Sequence, residues 1–250
     1  MSLSYVVLTQ NEATEIGSCL RSLGPAHEVL VVDGGSTDDT LKQARAAAMG
    51  MPFPLRIVQH PFRDFAAQRN VALDLLDSDW VYFVDADERS SPEQTAEIAR
   101  RVAKPDAPAG FWVPRANIIF GHQMRHTGWS PDYQLRLFRV SRGRYDPARR
   151  VHELVQLDGA IEHLQAPLIH YNYRNLSQFI TKQRRYARHE AQQRLLAGER
   201  FRPRALLSLP AREFLWRYVT LAGWRDAGHG LLLSLLMAWY RLLVGWKMRQ

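Results

Sequence analysis

The chain has 250 residues, of which 46% are hydrophobic and 23% charged, with 13 prolines and 15 glycines. This composition is typical of a globular protein and excludes a collagen-like, coiled-coil or low-complexity chain. The single cysteine, Cys19, excludes an intramolecular disulfide and a cysteine-based zinc site, which favours a reducing, cytoplasmic compartment. The first residues, MSLSYVVLTQNE, lack the basic and long apolar regions of a secretory signal, so none is expected.

The net charge of +8 is distributed unevenly along the chain. Residues 1–125 carry 12 Lys and Arg against 16 Asp and Glu, whereas residues 126–250 carry 21 against 9. A basic half of this kind indicates nucleic acid, an anionic membrane surface or an acidic substrate as partner. A solvated basic surface without any partner is the alternative.

The first third of the chain alternates short β-branched runs with helical patterns, which indicates βαβ units on a largely parallel sheet. Strands are predicted at residues 3–8, 28–32, 55–59 and 80–84, and helices at 12–23 and 65–76. A further helix begins after Ser91, because Pro92 and Gln94 complete an N-terminal capping pattern. Ser36 and Asp39 are expected to cap the helix after the second strand.

Beyond residue 108 the pattern changes to strands without long intervening helices, at 111–113, 134–140, 151–157 and 167–171, so the sheet is expected to become mixed. From Asn175 onward the pattern is helical, first basic and then strongly apolar. We therefore predict an α/β domain over residues 1–172 and a helical extension over residues 173–250.

Polar side chains follow the predicted strands where ligands bind in open α/β sheets, at the carboxyl ends. These side chains are Thr9, Gln10, Asn11, Glu12, Asp33, Asp85, Asp87 and Glu88. Clustered carboxylates favour a divalent cation between them, and Mg²⁺ or Mn²⁺ held by one or two carboxylates usually bridges to phosphate oxygens. A solvated acidic turn is the alternative. Neither G-x-G-x-x-G nor a P-loop pattern occurs, so a nicotinamide cofactor and a P-loop are unsupported.

The segments SLSYVVLTQNE, VVDGGSTDDT, FAAQRN and YFVDADE together resemble the family 2 glycosyltransferases, over roughly residues 3 to 90. The later segments GWSPDYQLRLFR, RRVHE and PLIHYNYR resemble the bacterial lipopolysaccharide inner-core glucosyltransferases. The resemblance implies an α/β GT-A fold, a Rossmann-like mixed sheet flanked by helices, with a C-terminal amphipathic helical extension. It also implies metal-dependent, inverting transfer of a hexose, glucose in that subgroup, from a UDP-sugar to a lipid-linked acceptor such as core heptose.

The resemblance further implies roles for individual residues. The nucleotide sugar would contact Thr9, Asn11, Glu12, Asp33, Arg69 and Asp85. Asp85 and Asp87 would be the metal-binding D-x-D pair, with Asp87 the more direct ligand. His170 would complete the metal shell, and His152 is the alternative ligand.

An inverting transfer needs a carboxylate to take the proton of the acceptor hydroxyl. Asp132 and Glu153 are the two candidates, and the sequence leaves both open, since either could instead be a structural carboxylate paired with Arg136, Arg149 or Arg150. The spacing of Gln134 and Arg136 is Q-x-R, so the QxxRW signature of processive synthases is absent and transfer of a single sugar is expected.

The last 35 residues hold four of the seven tryptophans beside several cations, a pattern that favours a lipid headgroup layer. The longest uncharged run, 227–240, has 14 residues, whereas crossing a bilayer needs about 20. We therefore expect a peripheral location at the inner face of the cytoplasmic membrane; packing on the core or in a dimer is the alternative. Other functions left open are a nucleotidyltransferase and a non-catalytic anionic-membrane binding protein. Nucleic-acid binding is disfavoured by the apolar run.

Overall fold

A computed structural model of the chain describes residues 1–146 and 154–249. The chain divides into two units. The first comprises Met1–Arg115 and Tyr133–His170, and the second Ala116–Asp132 and Tyr171–Gln250. The second unit thus includes a segment from the middle of the chain as well as the C-terminal part. The sequence indicated only the division near residue 172.

Strands and helices alternate through the first unit. In chain order the elements up to the C-terminal helices are β1 (Leu3–Thr9), α1 (Ile16–Ser22), β2 (Glu28–Asp33), α2 (Thr40–Ala48), β3 (Leu55–Gln59), α3 (Phe65–Leu75), β4 (Trp80–Asp85), β5 (Glu88–Arg89), α4 (Pro92–Val102), β6 (Gly110–Ile119), β7 (His122–Gln123), β8 (Tyr133–Arg139), β9 (Gly143–Tyr145), β10 (Val155–Leu157), β11 (Ile161–His163) and β12 (Leu168–Tyr173). Strands β3, β2, β1 and β4 are parallel neighbours, and β8 and β6 continue the sheet in antiparallel order. The predicted mixed sheet flanked by helices is confirmed.

The parallel strands are covered on both faces, which explains their nearly continuous apolar sequences. All six residues of β2 are buried, as are the first five of β4. One face of the sheet packs around Tyr5, Trp80 and Phe111, and the other around Phe83 and Phe138. The carboxyl ends of β1, β2 and β4 therefore lie side by side on a rigid support.

Local side-chain chemistry sets where the helices begin. Ser91 accepts a hydrogen bond from the backbone N–H of Gln94 at 3.2 Å, as predicted. The prediction that Ser36 and Asp39 cap α2 is wrong, because Asp39 makes no side-chain cap and the Ser36 hydroxyl donates to Asp33 instead.

Three helices and two short helical turns form most of the second unit. They are α5 (Leu176–Leu196), α6 (Ala205–Leu215) continued by a π-helical turn (Trp216–Thr220), and α7 (Ala227–Lys247), which follows a 3-10 turn (Gly223–Asp226). Helix α7 packs against α5 and α6. One small core contains Phe179 and Leu233, and a second joins Ala187 and Ala191 to Tyr240 and Val244. The predicted C-terminal helical extension is confirmed.

Candidate active site

The loops that follow β1 and β2 are joined by side-chain hydrogen bonds. Asn11 adopts a left-handed backbone with φ of 57°, and its Oδ1 accepts from the backbone N–H of Thr37 at 2.8 Å. The backbone N–H of Asn11 donates to Ser36 Oγ at 2.9 Å, and that of Glu12 donates to Thr40 Oγ1 at 2.8 Å. Asn11 and Glu12 therefore hold the two loops together at the edge of the sheet.

Asp33 is fully buried at the end of β2 and organises the loop that follows it. Its carboxylate accepts hydrogen bonds from the backbone N–H groups of Gly35 and Ser36, at 3.3 and 3.1 Å, and from the side chain of Gln59 at 3.3 Å. The hydroxyl of Ser36 donates to it as well. Gly35 has φ of 96°, which a residue with a side chain would adopt only with strain. Asp33 thus shapes the loop from within.

An open cavity of about 520 Å³ lies at the carboxyl ends of β1, β2 and β3. Its lining residues are Gln10, Gly34, Gly35, Gln59, His60, Pro61 and Phe62. The ring of Phe62 is 40% exposed and meets Phe65 edge-on, with 5.1 Å between ring centroids. The hydroxyl of Thr9, which ends β1, is buried and has no hydrogen-bond partner among the described residues. Amide side chains and an exposed aromatic ring are suited to a flat, polar ligand.

Buried ion pairs organise the acidic end of β4. Arg136, on β8, donates to Asp85 at 2.7 Å and to Glu88 at 2.6 Å. Arg115 lies 3.4 Å from the other oxygen of Glu88, and Arg69 lies 3.8 Å from the other oxygen of Asp85. Glu88 also accepts the backbone N–H of Asp85 at 2.8 Å, which closes the turn.

These surroundings shift the acidities of the two carboxyl groups in opposite directions. Burial favours the neutral form of Asp85, but the guanidinium groups of Arg136 and Arg69 outweigh it and lower the pKa of Asp85. Burial dominates at Glu88 and raises its pKa, against the opposing effect of Arg136. Both oxygens of Asp85 face arginines, so the sequence-predicted role of Asp85 as a metal ligand competes with these ion pairs.

Asp87 and His170 lie next to each other on the same side of this turn. Pairing of β5 with β12 sets His170 opposite Glu88 and brings its Nε2 to 3.6 Å from Asp87 Oδ2. The Asp87 side chain is 28% exposed. Within residues 1–146 and 154–249, no group of three or more His, Cys, Asp or Glu is arranged to hold a metal ion. One carboxylate and one imidazole nevertheless fit a Mn²⁺ or Mg²⁺ ion that takes its remaining ligands from water and phosphate oxygens.

Arg69 is held by aromatic rings as well as by charge. Its guanidinium carbon lies 5.3 Å from the ring centroid of Tyr145 and 5.8 Å from those of Phe65 and Phe83. The side chain is 7% exposed. The structure thus brings Arg69 close to Asp85 at the end of β4.

The structure describes only one of the two candidate bases, Asp132. Asp132 belongs to the second unit, where its Oδ2 accepts from the buried amide of Asn117 at 3.0 Å. Glu153 lies outside the described residues, as do His152, Arg149 and Arg150. The choice between Asp132 and Glu153 stays open.

Two contributors to the site, Arg136 and Phe62, were not predicted from the sequence. Glu88 and Arg136 form its buried support, and Phe62 forms an exposed wall of the cavity. The sequence offered Arg136 only as an alternative partner of Asp132 or Glu153, whereas the structure pairs it with Asp85 and Glu88. Which acids it would bind depended on how β8 pairs with β4.

The C-terminal helices expose many apolar side chains. The exposed set includes Leu207, Leu215, Trp216, Val219, Trp224, Leu231, Leu232, Leu235, Leu242 and Trp246. Of the helices in the described part of the chain, one stretch, Gly223–Lys247, is long and apolar enough to cross a membrane, with a mean hydropathy of 1.4. Arg241 lies within it and pairs with Glu190 and Glu213 of neighbouring helices, at 3.0 Å each.

The family model described as glycosyl transferase family 2 matches residues 4–150, more than half of the chain. The chain therefore belongs to glycosyl transferase family 2 and is a glycosyltransferase. A lipopolysaccharide core biosynthesis glycosyltransferase, LpsC of Rhizobium meliloti, is 28% identical over 256 residues, covering 100% of this chain and 93% of the relative. An uncharacterized glycosyltransferase of Rickettsia conorii is 36% identical over 97 residues, covering 38% of this chain and 32% of the relative.

Among solved structures, S. aureus TarS 1-349 has a similar fold. Its TM-score is 0.51 at 15% identity, covering 99% of this chain and 89% of TarS 1-349. The same fragment in complex with UDP gives a TM-score of 0.51 at 16% identity, covering 100% of this chain and 92% of that chain. This likeness supports the predicted GT-A fold.

Proposed function

We propose that the protein is a metal-dependent, inverting glycosyltransferase that moves a hexose, glucose by resemblance, from a UDP-sugar to a lipid-linked saccharide such as a lipopolysaccharide core. The observation that carries this proposal is the pairing of Asp87 with His170 at the end of β4. It lies on the same sheet edge as the cavity at the ends of β1, β2 and β3. A fold similar to that of TarS, which has been solved with UDP, supports a nucleotide donor.

In this proposal Asp87 and His170 hold a divalent cation, Mn²⁺ or Mg²⁺. When bound, the cation supplies positive charge that stabilises the departing diphosphate. Arg69 contributes a fixed cation beside Asp85, and its aromatic surroundings keep it from reorienting. Asp85, which Arg136 and Arg69 keep ionised, either accepts a hydrogen bond from the donor sugar or joins the cation. Thr9 Oγ1, buried and without a partner in the described residues, is available to bind the nucleotide.

The cavity at the ends of β1, β2 and β3 would receive the nucleobase. Asn11 and Asp33 support this region by shaping its two loops, and Glu12 fixes the first loop to Thr40. The flat ring of Phe62 offers a stacking surface, and Gln10 and Gln59 offer amide donors and acceptors.

Asp132 or Glu153 would take the proton of the acceptor hydroxyl while that oxygen attacks the anomeric carbon. In either case a single displacement inverts the anomeric centre. The assay that separates the two compares kcat of Asp132→Asn and Glu153→Gln at saturating donor. The variant without the base loses turnover but keeps donor binding.

The relative in lipopolysaccharide core biosynthesis and the basic, apolar second unit support this acceptor class. A lipid-linked acceptor places the enzyme at a membrane surface, where exposed tryptophans and arginines are favourable. We therefore propose a peripheral location at the inner face of the cytoplasmic membrane. Although Gly223–Lys247 is long enough to span a bilayer, its Arg241 is ion-paired with Glu190 and Glu213 of neighbouring helices, which favours a helix that lies on the membrane surface.

The decisive variant is Asp87→Asn, which removes the charge but preserves the shape of the side chain. We expect transfer to fall by at least about 100-fold, and the Mn²⁺-dependent stabilisation by UDP to disappear. A ligand at 100 times its Kd stabilises the folded state by about 2.7 kcal/mol, which a thermal-shift assay resolves. Asp77→Asn is the matched control, because Asp77 is an exposed acid whose only ion pair among the described residues is with His27. Unchanged UDP and Mn²⁺ binding by Asp87→Asn would contradict the proposal.

A further inference from the structure

A second cavity, of about 620 Å³, belongs wholly to the helical second unit. Its lining residues are Arg194, Leu209, Arg212, Glu213, Leu215, Trp216, Thr220 and Arg241. The cavity thus combines three guanidinium groups with apolar side chains. Neither the donor site nor the proton transfer proposed above uses any of these residues.

Ion pairs hold two of the three guanidinium groups in place. Glu190 Oε1 accepts from Arg194 Nε and from a terminal nitrogen of Arg241, each at 3.0 Å. Glu213 accepts from Arg241 Nε, also at 3.0 Å. Arg194 also has one terminal nitrogen 2.7 Å from Glu190 Oε1 and the other 3.5 Å from Glu199 Oε2. A guanidinium carries five N–H donors, and in both arginines these contacts use only part of them. Arg194 and Arg241 are therefore oriented in advance and retain donors for a further anion.

Arg212, unlike Arg194 and Arg241, is not fixed by an ion pair with a described residue. It is exposed, and its guanidinium makes no hydrogen bond or ion pair with the described part of the chain. The surrounding sequence cannot neutralise it, because residues 171–250 carry fifteen Lys and Arg against four Asp and Glu. Glu190 and Glu213 are already shared among several arginines. The cavity consequently has an unneutralised positive charge that attracts anions.

The opening of the cavity is apolar. Leu215 is 56% exposed and Trp216 is 47% exposed, and both stand at the junction of α6 with the π-helical turn. An exposed tryptophan beside arginines is typical of residues at a lipid headgroup layer. A free inorganic anion would make no use of these side chains, whereas a ligand with an anionic head and hydrocarbon chains would contact both kinds of group.

We infer that this cavity binds the phosphate of an anionic membrane lipid, with Arg212, Arg194 and Arg241 around the phosphate and Leu215 and Trp216 against the chains. The inference deepens the proposed function, since it names where the membrane surface is recognised. It requires no sugar donor, so lipid binding is measured separately from glycosyl transfer.

The test is sedimentation of the full chain with vesicles of phosphatidylcholine mixed with phosphatidylglycerol. Arg212→Ala is expected to weaken vesicle binding by about fivefold or more, the effect of one cation near an anionic surface. Arg188→Ala is the matched control, because Arg188 is an exposed arginine of α5 that does not line the cavity. It removes the same charge, and we expect a smaller loss. Equal losses for the two variants would show diffuse attraction to the basic surface and overturn the inference.

Two further measurements identify the ligand. Trp216→Ser is expected to weaken vesicle binding. Unchanged binding would overturn the inferred contact between Trp216 and the hydrocarbon chains of the lipid. Glycerol phosphate or inorganic phosphate, added at the concentration of the lipid headgroups, is expected to leave the protein on the vesicles. Release of the protein from the vesicles would show that a free phosphate is the ligand and would overturn the inference. Thermal shift with UDP and Mn²⁺ should be unchanged in Arg212→Ala, which keeps failure of this inference distinct from failure of the proposed donor site.

Discussion

Replacing Arg136 with leucine removes the cation that Asp85 and Glu88 share beneath the candidate metal site. The Arg136 side chain is 8% exposed and the Glu88 side chain is fully buried, with the contacting atoms 2.6 Å apart. Removing one partner of a buried ion pair costs about 3–5 kcal/mol, because the remaining charge stays in a poorly solvated place. Arg115 remains 3.4 Å from Glu88, and Arg69 remains 3.8 Å from Asp85. Because these cations partly compensate, we expect the free energy of unfolding to fall by about 3 kcal/mol, the lower end of this range.

The free energy of unfolding of Arg136→Leu should be measured by urea titration, with thermal unfolding as a second probe. At about 2–4 °C per kcal/mol for a chain of this size, the expected fall in Tm is about 6–12 °C. Arg144→Leu is the control, because Arg144 pairs with Asp74 at 2.6 Å on the surface, with both side chains more than half exposed. Exposed pairs of this kind contribute about 0–1 kcal/mol.

A double variant decides whether the ion pair itself is responsible. Glu88→Leu combined with Arg136→Leu removes both charges, and replacing a buried pair with apolar side chains is often neutral. The double variant should therefore lose at least about 1 kcal/mol less than the two single variants added together. If the loss in the double variant equals the sum of the two single losses within about 0.5 kcal/mol, the two residues act independently and the reasoning is refuted.

Two more predictions concern the second unit. Gly230→Ala would place its methyl carbon 1.7 Å from the carbonyl oxygen of Gly223, so we expect at least about 2 kcal/mol of destabilisation in urea unfolding. Gly228→Ala, in the same helix with open space around it, should instead stabilise by about 0.5–1 kcal/mol; equal effects would contradict the close approach. For Glu190, burial favours the neutral acid, but the Tyr240 hydroxyl and the guanidinium groups of Arg241 and Arg194 outweigh it and lower the pKa from its ordinary value of 4.5. A pKa that is lower in the folded than in the unfolded chain stabilises the fold above pH 4.5, and this stabilisation is lost as the pH falls further. The free energy of unfolding of Glu190→Gln should therefore depend less on pH, between about pH 5 and 3, than that of the unmodified protein. An unchanged pH dependence would show that Glu190 has the same pKa in the folded and unfolded chain.

Local sequence patterns determined much of the first unit. Continuous apolar runs locate β1, β2 and β4 because both faces of a parallel sheet are covered, and the polar residues after each run mark the edge where ligands bind. The D-A-D-E segment and the motifs around it indicated the family as well. The cap of α4 by Ser91 was also predictable, since the hydrogen bond spans only three residues.

Tertiary structure decided what surrounds each of these polar residues. Asp33 is enclosed by its own loop, and Asp85 is engaged by an arginine 51 residues away, whereas Asp87 stands next to His170 through the pairing of β5 with β12. The same holds for the arginine cavity, whose charges come from three helices. Such contacts depend on strand pairing and helix packing between distant segments, and a pattern with a period of two or 3.6 residues does not encode them.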